Sequence, residues 1–165
     1  MSREYESKAQ MQQRLDEGWQ EIVALADSLP ADELERPGVV AAWSVKDLLG
    51  HMAFWANKAA GDLRLLAGER AEEIETPSGQ QATDEWNDRE YQRRRDLPLS
   101  QVRAEWEKSF EDARQALAAA PEDVLWQEVK GWPQAVRFRE DTYVHYREHA
   151  EQVRAWQRQL ETSET

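Results

Sequence analysis

Residues 142–152 read Thr142-Tyr143-Val144-His145-Tyr146-Arg147-Glu148-His149-Ala150-Glu151-Gln152. Two of the chain's three histidines stand here, four residues apart, so in a helix both imidazoles leave the same face one turn apart. Working outward, Phe138, Thr142, His145, His149, Val153, Trp156 and Leu160 recur at spacings of three and four, the inner face of a bundle helix. Histidines thus occupy two layers where a core normally carries leucine. Burying imidazoles is costly unless something satisfies their nitrogens, and one metal ion would satisfy both.

The same periodicity recurs along the rest of the chain. A first helix is predicted from about Glu4 to Leu29 on Met11, Leu15, Trp19, Ile22, Leu25 and Leu29, and Pro30 ends it. Ser44 is an N-cap with Asp47 three residues later, opening a second helix on Val45, Leu48, Leu49, Met52, Ala56, Ala59, Leu63 and Leu66; Gly68 closes it. A long connection follows, with a turn at Thr76–Gly79 and a short helix capped by Thr83, interrupted at Leu97-Pro98. The third helix spans Leu99 to Ala119 and the fourth about Gln134 to Glu161, with Gly131-Trp132-Pro133 a loop and Thr162–Thr165 disordered. Pro121–Leu125 echoes the Pro30–Leu34 turn. With four amphipathic segments and no strand-like alternation, the fold class is all-α, a four-helix bundle. At 165 residues the chain forms one domain, with its core at about residues 5–160. The long connection can travel a helix's full length, so the second and third helices can run parallel in an up-down-down-up topology.

Composition excludes several function classes. Without cysteine there is no disulfide, thiolate ligand or cysteine nucleophile, and thiol chemistry needs an external thiol. With 33 acidic against 21 basic residues, net charge −12, the surface does not suit nucleic acid. Arg93-Arg94-Arg95, flanked by acids, reads as a solvated helix face. The polar stretch Met1–Glu6 carries no apolar signal region and no window approaches a membrane span, so the expectation is a cytoplasmic protein without membrane association. Glycine-rich phosphate loops, nucleophile elbows and dinucleotide fingerprints are missing from the sequence.

His51 lies on the edge of the second helix's stripe, beside Trp55. Together with His145 and His149 it makes a three-imidazole set without thiolate, which leaves a coordination position open for water or substrate, as in catalytic sites. Zn and Ni suit imidazole, and Fe or Mn are compatible. The plainer alternative is three hydrogen-bonded histidines on a polar seam. Asp141 and Gln152 flank the pair and are candidates for orienting an imidazole or a bound water, or for moving a proton, though each also reads as an ordinary interhelical polar residue. Glu148 and Glu151 point to solvent. Of the eight tryptophans, Trp19, Trp106 and Trp156 sit on core stripes; Trp43, Trp86, Trp126 and Trp132 cap the bundle ends or line a pocket mouth; Trp55 walls a pocket.

Trp43-Ser44-Val45-Lys46-Asp47-Leu48-Leu49-Gly50-His51-Met52, followed by Trp55, resembles the second-helix signature of the DinB/YfiT-like superfamily. His145-x-x-x-His149-x-x-Gln152 resembles its fourth-helix signature. Trp86-Asn87 through Leu99, with Thr142-x-x-His145-Tyr146, is also similar to the ClbS/DfsB branch. The resemblance covers about residues 5–160. It implies an up-down-down-up bundle with a divalent metal on His51, His145 and His149. It further implies a thiol-dependent isomerase or S-transferase using a low-molecular-weight thiol such as mycothiol or bacillithiol, or a ClbS-like self-protection hydrolase or sequestering protein; the competing reading is a non-enzymatic stress or binding protein whose histidines merely satisfy the core. A small electrophilic substrate and a homodimer are expected; nucleic acid is not.

Overall fold

Ser7 sets the first helix. Its Oγ accepts from the Gln10 amide at 3.2 Å while Gln10 Oε1 accepts from the Ser7 amide at 2.8 Å, a closed capping box. In the computed structural model, which describes residues 5–164, α1 accordingly runs Lys8–Asp27. It is shorter than periodicity alone predicts, because the cap and not the apolar pattern decides the start; Glu4 lies outside the described residues. The Pro30 turn is the short helix α2, Ala31–Leu34. The predicted Ser44–Asp47 box opens α3, Val45–Ala67, with Ser44 N donating to Asp47 Oδ2 at 2.9 Å, and Gly68 is the C-cap.

A 3-10 turn at Ala71–Glu73 leads to α4, Gly79–Arg94. Thr83 does not cap that helix: it lies one turn inside, and its hydroxyl donates to the Gly79 carbonyl at 3.0 Å. Nor is Arg94 solvated like its neighbours. It is 6% exposed and pairs with Glu90 at 2.7 Å and Glu105 at 2.9 Å. A charge run read as one surface thus divides, because consecutive residues of a helix point in different directions and only those three or four apart share a face. Leu97-Pro98 ends this segment and α5 runs Leu99–Ala119 as expected.

The fold is an all-α bundle with a short extra helix. Its directions follow from contacts between helices. Near their N-terminal ends, a Cβ built on Gly50 of α3 lies 3.6 Å from Val102 of α5, and near their C-terminal ends Arg64 reaches the Asp112 carbonyl at 3.3 Å, so α3 and α5 are parallel. Asp16 meets Arg114 at 3.2 Å and Asp27 meets Arg103, so α1 runs against α5. Up-down-down-up is the topology. Met11, Leu15, Leu49, Met52, Leu63, Trp106, Leu117, Phe138 and Tyr146 fill the interior, each fully buried apolar side chain contributing about 1.5–3 kcal/mol.

After α6, Glu122–Leu125, a two-residue hairpin pairs β1, Glu128–Val129, with β2, Trp132–Pro133. Its turn residues Lys130 and Gly131 both have positive φ, +51° and +81°, the conformation a tight hairpin needs. The expected single fourth helix is two, α7 Gln134–Asp141 and α8 Tyr143–Ser163. Between them Thr142 leaves helical geometry (φ −124°, ψ −100°), fully buried, with its hydroxyl on the Phe138 carbonyl at 2.6 Å. Periodicity cannot register such a break, since the stripe continues through it. Thr162 and Ser163, expected to be disordered, finish α8, and Thr165 lies outside the described residues.

Candidate metal centre

Two segments carry the three histidines to one place. The capping box fixes where α3 begins, and His51 follows seven residues after Ser44, held against Trp43 with ring centroids 5.2 Å apart. Trp43 is itself stacked on Tyr91 of α4 at 5.5 Å. On α8, His145 and His149 stand one turn apart just after the Thr142 break. The ligand nitrogens of all three lie within 4.8 Å of one another. His51 Nε2 is 2.9 Å from His145 Nε2, which is 2.8 Å from His149 Nε2. The sequence-derived set therefore converges as a group.

Charge and tautomer decide what the group can bind. Burial, then the neighbouring imidazole of His149, pushes the His51 pKa down to about 3. Burial likewise holds His145 well below the ordinary histidine value, with His149 and His51 adding to the effect, and lowers His149. All three are neutral at physiological pH, the state a metal requires. Gln152 Oε1 lies 2.6 Å from His149 Nδ1, so that nitrogen carries the proton and Nε2 turns inward with a bare lone pair. Buried His145 Nδ1 has no partner of normal geometry and faces the Asp141 backbone carbonyl, which favours the same tautomer. Lone pairs then meet at hydrogen-bond distance with no proton between them. A cation resolves that repulsion, and metal–nitrogen bonds of about 2.0–2.1 Å are compatible with the spacing. The donor set fits a divalent transition metal.

His51 and His145 edge a cavity of about 580 Å³, a size suited to a small molecule, and His149 stands behind them. His51, Trp55, Lys58 and Asp62 line it from α3 at spacings of four, three and four; Arg137, Asp141, His145 and Glu148 line it from α7 and α8. Gln80, Thr83 and Asn87, one face of α4, close a third side, and Asn87 Oδ1 accepts from Trp55 Nε1 at 2.9 Å. Both flanking candidates reach the site, in different ways. Gln152 orients His149. Asp141 is in the cavity wall, where burial, partly offset by Lys58, pushes its carboxyl pKa up to about 7.

Trp55 is a wall as expected, Trp132 stands exposed at the mouth, and Trp106 and Trp156 are core. Trp19 packs against that core, stacked on Phe110 at 4.4 Å. Glu148 is exposed yet still on the rim, whereas Glu151 faces solvent alone. Lys58, Asp62, Asn87 and Arg137 were not anticipated. The helical spacing from His51 through Asp62 was the available signal, a polar row running beside the apolar stripe of α3.

The sequence matches the family model described as mycothiol maleylpyruvate isomerase N-terminal domain over residues 15–151. Among curated proteins none matches. An uncharacterised protein from Escherichia coli UTI89 has a crystal structure similar to this one, with TM-score 0.81 at 14% identity, over 95% of this chain and 96% of that one. A structural-genomics target from Streptococcus pneumoniae is similar with TM-score 0.77, also at 14% identity, over 96% and 94%. These two likenesses concern the fold alone. The family match spans most of the sequence, and the chain belongs to that family, a helical family of the DinB/YfiT-like kind.

Proposed function

We propose that this member of the mycothiol maleylpyruvate isomerase N-terminal domain family is a metal-dependent enzyme that turns a low-molecular-weight thiol, or water, on a small electrophile. Three neutral imidazoles converge on one point, and two of them, His51 and His145, edge a cavity of small-molecule size; that convergence carries the reading. His51, His145 and His149 would hold the ion. A bound divalent ion supplies Lewis acidity and makes a thiolate or hydroxide available at neutral pH. The rest is the work of this chain's side chains. Gln152 fixes the His149 tautomer, Trp55 held by Asn87 keeps one wall apolar, and the Asp141 carboxyl can accept or release a proton near pH 7. The family's name supports a thiol of the mycothiol class as co-substrate, and a thiol-rich cytoplasm suits it.

A second reading is favoured by Asp141 specifically. A carboxyl titrating near neutrality in the wall of the same cavity could take a proton from a water that a bound metal would activate, which suits hydrolysis, the chemistry implied by the ClbS/DfsB resemblance. Thiol dependence of turnover separates the two. Elemental analysis of protein purified without a histidine tag tests the premise of both. Close to one divalent ion per chain is expected, with His149→Ala losing it while remaining helical. Substoichiometric metal in the parent protein, or unchanged metal in the variant, removes the metalloenzyme reading and leaves a non-enzymatic binding protein whose histidines serve the core.

A further inference from the structure

We propose that the cavity has a second recognition point at the end away from the histidines, where Arg137 binds an oxyanion carried by the substrate. The identity of the chemistry at the histidine end rests on the function proposed above; the anion site does not.

The inference starts from charge pairing along the two polar rows that face each other across the cavity. On α3, Lys58 Nζ donates to Asp62 Oδ2 at 2.6 Å, with both side chains almost buried, so each cancels the other. On α7, Arg137 makes no direct ion pair: among the described residues no carboxylate lies within ion-pair distance of it, although its charge is felt by Asp62 and Asp141, and Asp141 and Glu140 line the same cavity. A guanidinium offers five N–H donors. One nitrogen, Nη2, reaches a protein acceptor, the Val129 carbonyl of the hairpin at 3.3 Å, while Nε is buried with no acceptor at all. Burial also closes Nε to a ligand, so the Nη1–Nη2 edge of this permanently charged fork is what the cavity can use, and it matches a carboxylate or a phosphate-like group, which accepts two parallel hydrogen bonds.

Position then shapes the ligand. Lys58, across from Arg137, follows His51 by seven residues, about 10 Å of helix rise. Arg137 precedes His145 by eight residues across the Thr142 break. A substrate filling the cavity would present its electrophilic centre to the histidines and carry its oxyanion several bonds away. The hairpin contributes as well, because the Val129 carbonyl holds the guanidinium from behind and orients it.

The test uses metal-loaded full-length protein, succinate and methylphosphonate as probes, and calorimetric titration with elemental analysis of the same samples. Wild type should bind at least one probe, and the tighter of the two identifies carboxylate or phosphonate as the preferred group. Arg137→Gln should bind at least tenfold more weakly with its metal content unchanged; Arg137→Lys, which keeps the charge and stem but not the fork, should fall between and guards against a folding defect. Equal binding by Arg137→Gln, or no binding of either probe by wild type, overturns the proposal. So does binding that disappears in His149→Ala, since the anion would then be sitting on the metal. Arg137-dependent binding in protein that holds no metal would instead sink the metalloenzyme reading and leave the anion site standing.

Discussion

Replacing Arg94 should loosen the wall of the cavity without touching the histidines. The residue is 6% exposed, its Nη1 lies 2.7 Å from Glu90 and its Nε 2.9 Å from Glu105. Arg94→Met keeps most of the stem that lies over Gly50, where an added Cβ would sit 2.8 Å from Arg94 Cδ. The substitution therefore isolates the charge: Glu90 and Glu105 lose their buried cation and keep in common only Arg93, a solvent-exposed side chain 3.4 Å and 3.9 Å away. Removing one partner of a fully buried pair costs about 3–5 kcal/mol. Here the carboxylate side chains are 14% and 30% exposed, so solvent screens part of that and about 2–3 kcal/mol is expected. For a chain of this size that corresponds to a melting temperature lower by roughly 5–10 °C. Urea unfolding with an unchanged slope measures it. Adding Glu90→Gln and Glu105→Gln to Arg94→Met should recover at least half of the loss, because no uncompensated charge then remains. A loss below about 0.5 kcal/mol would place the network among ordinary surface pairs and refute the reasoning, as would a neutralised triple variant no more stable than Arg94→Met.

Two further outcomes follow from groups at the site. Asp141→Asn removes a carboxyl whose pKa burial raises from 3.8 to about 7. A raised folded-state pKa contributes stability that is present below the unfolded value and lost as pH rises through the folded one, by up to about 1.4 kcal/mol per pH unit. Partial solvent access reduces the swing, so the variant should gain about 2 kcal/mol on wild type between about pH 5 and about pH 8 in parallel unfolding titrations; a stability difference independent of pH would show that Asp141 is not held protonated. Gln152→Leu removes the acceptor of His149 Nδ1 at 2.6 Å and should weaken metal binding roughly 10–100-fold in competition with a chromogenic chelator, whereas unchanged affinity would mean that Gln152 does not orient that ligand.

What could be read from the sequence, and what could not, divides along a physical line. Periodicity states which face of a helix turns inward, so two histidines on an apolar stripe, and a third beside one, were visible as out of place. The Ser44–Asp47 box was equally visible, because capping is local, and it sets the register that delivers His51. Thr142 shows where such reading stops. It lies on the stripe as a core residue should, yet its backbone leaves the helix there, and no local pattern distinguishes a buried threonine that continues a helix from one that breaks it. Arg94 fails the same way: the partner that makes it a core residue, Glu105, is on another helix.

The cavity wall illustrates the remaining difference between a pattern and its meaning. His51, Trp55, Lys58 and Asp62 form a helical row as regular as any apolar stripe, and Arg137, Asp141, His145 and Glu148 form another. Each row alone reads as a solvated edge. Only their approach across a gap, with α4 closing the side, makes a cavity of them. A single helix face then holds three distinct parts in order: a candidate metal ligand, an apolar wall and an ion pair. With Arg137 as the proposed anion site, the neutral imidazoles and the guanidinium give the cavity a direction. A ligand that satisfied only one end would leave the other end's buried nitrogens without partners, and that penalty is a physical basis for selecting molecules that reach both.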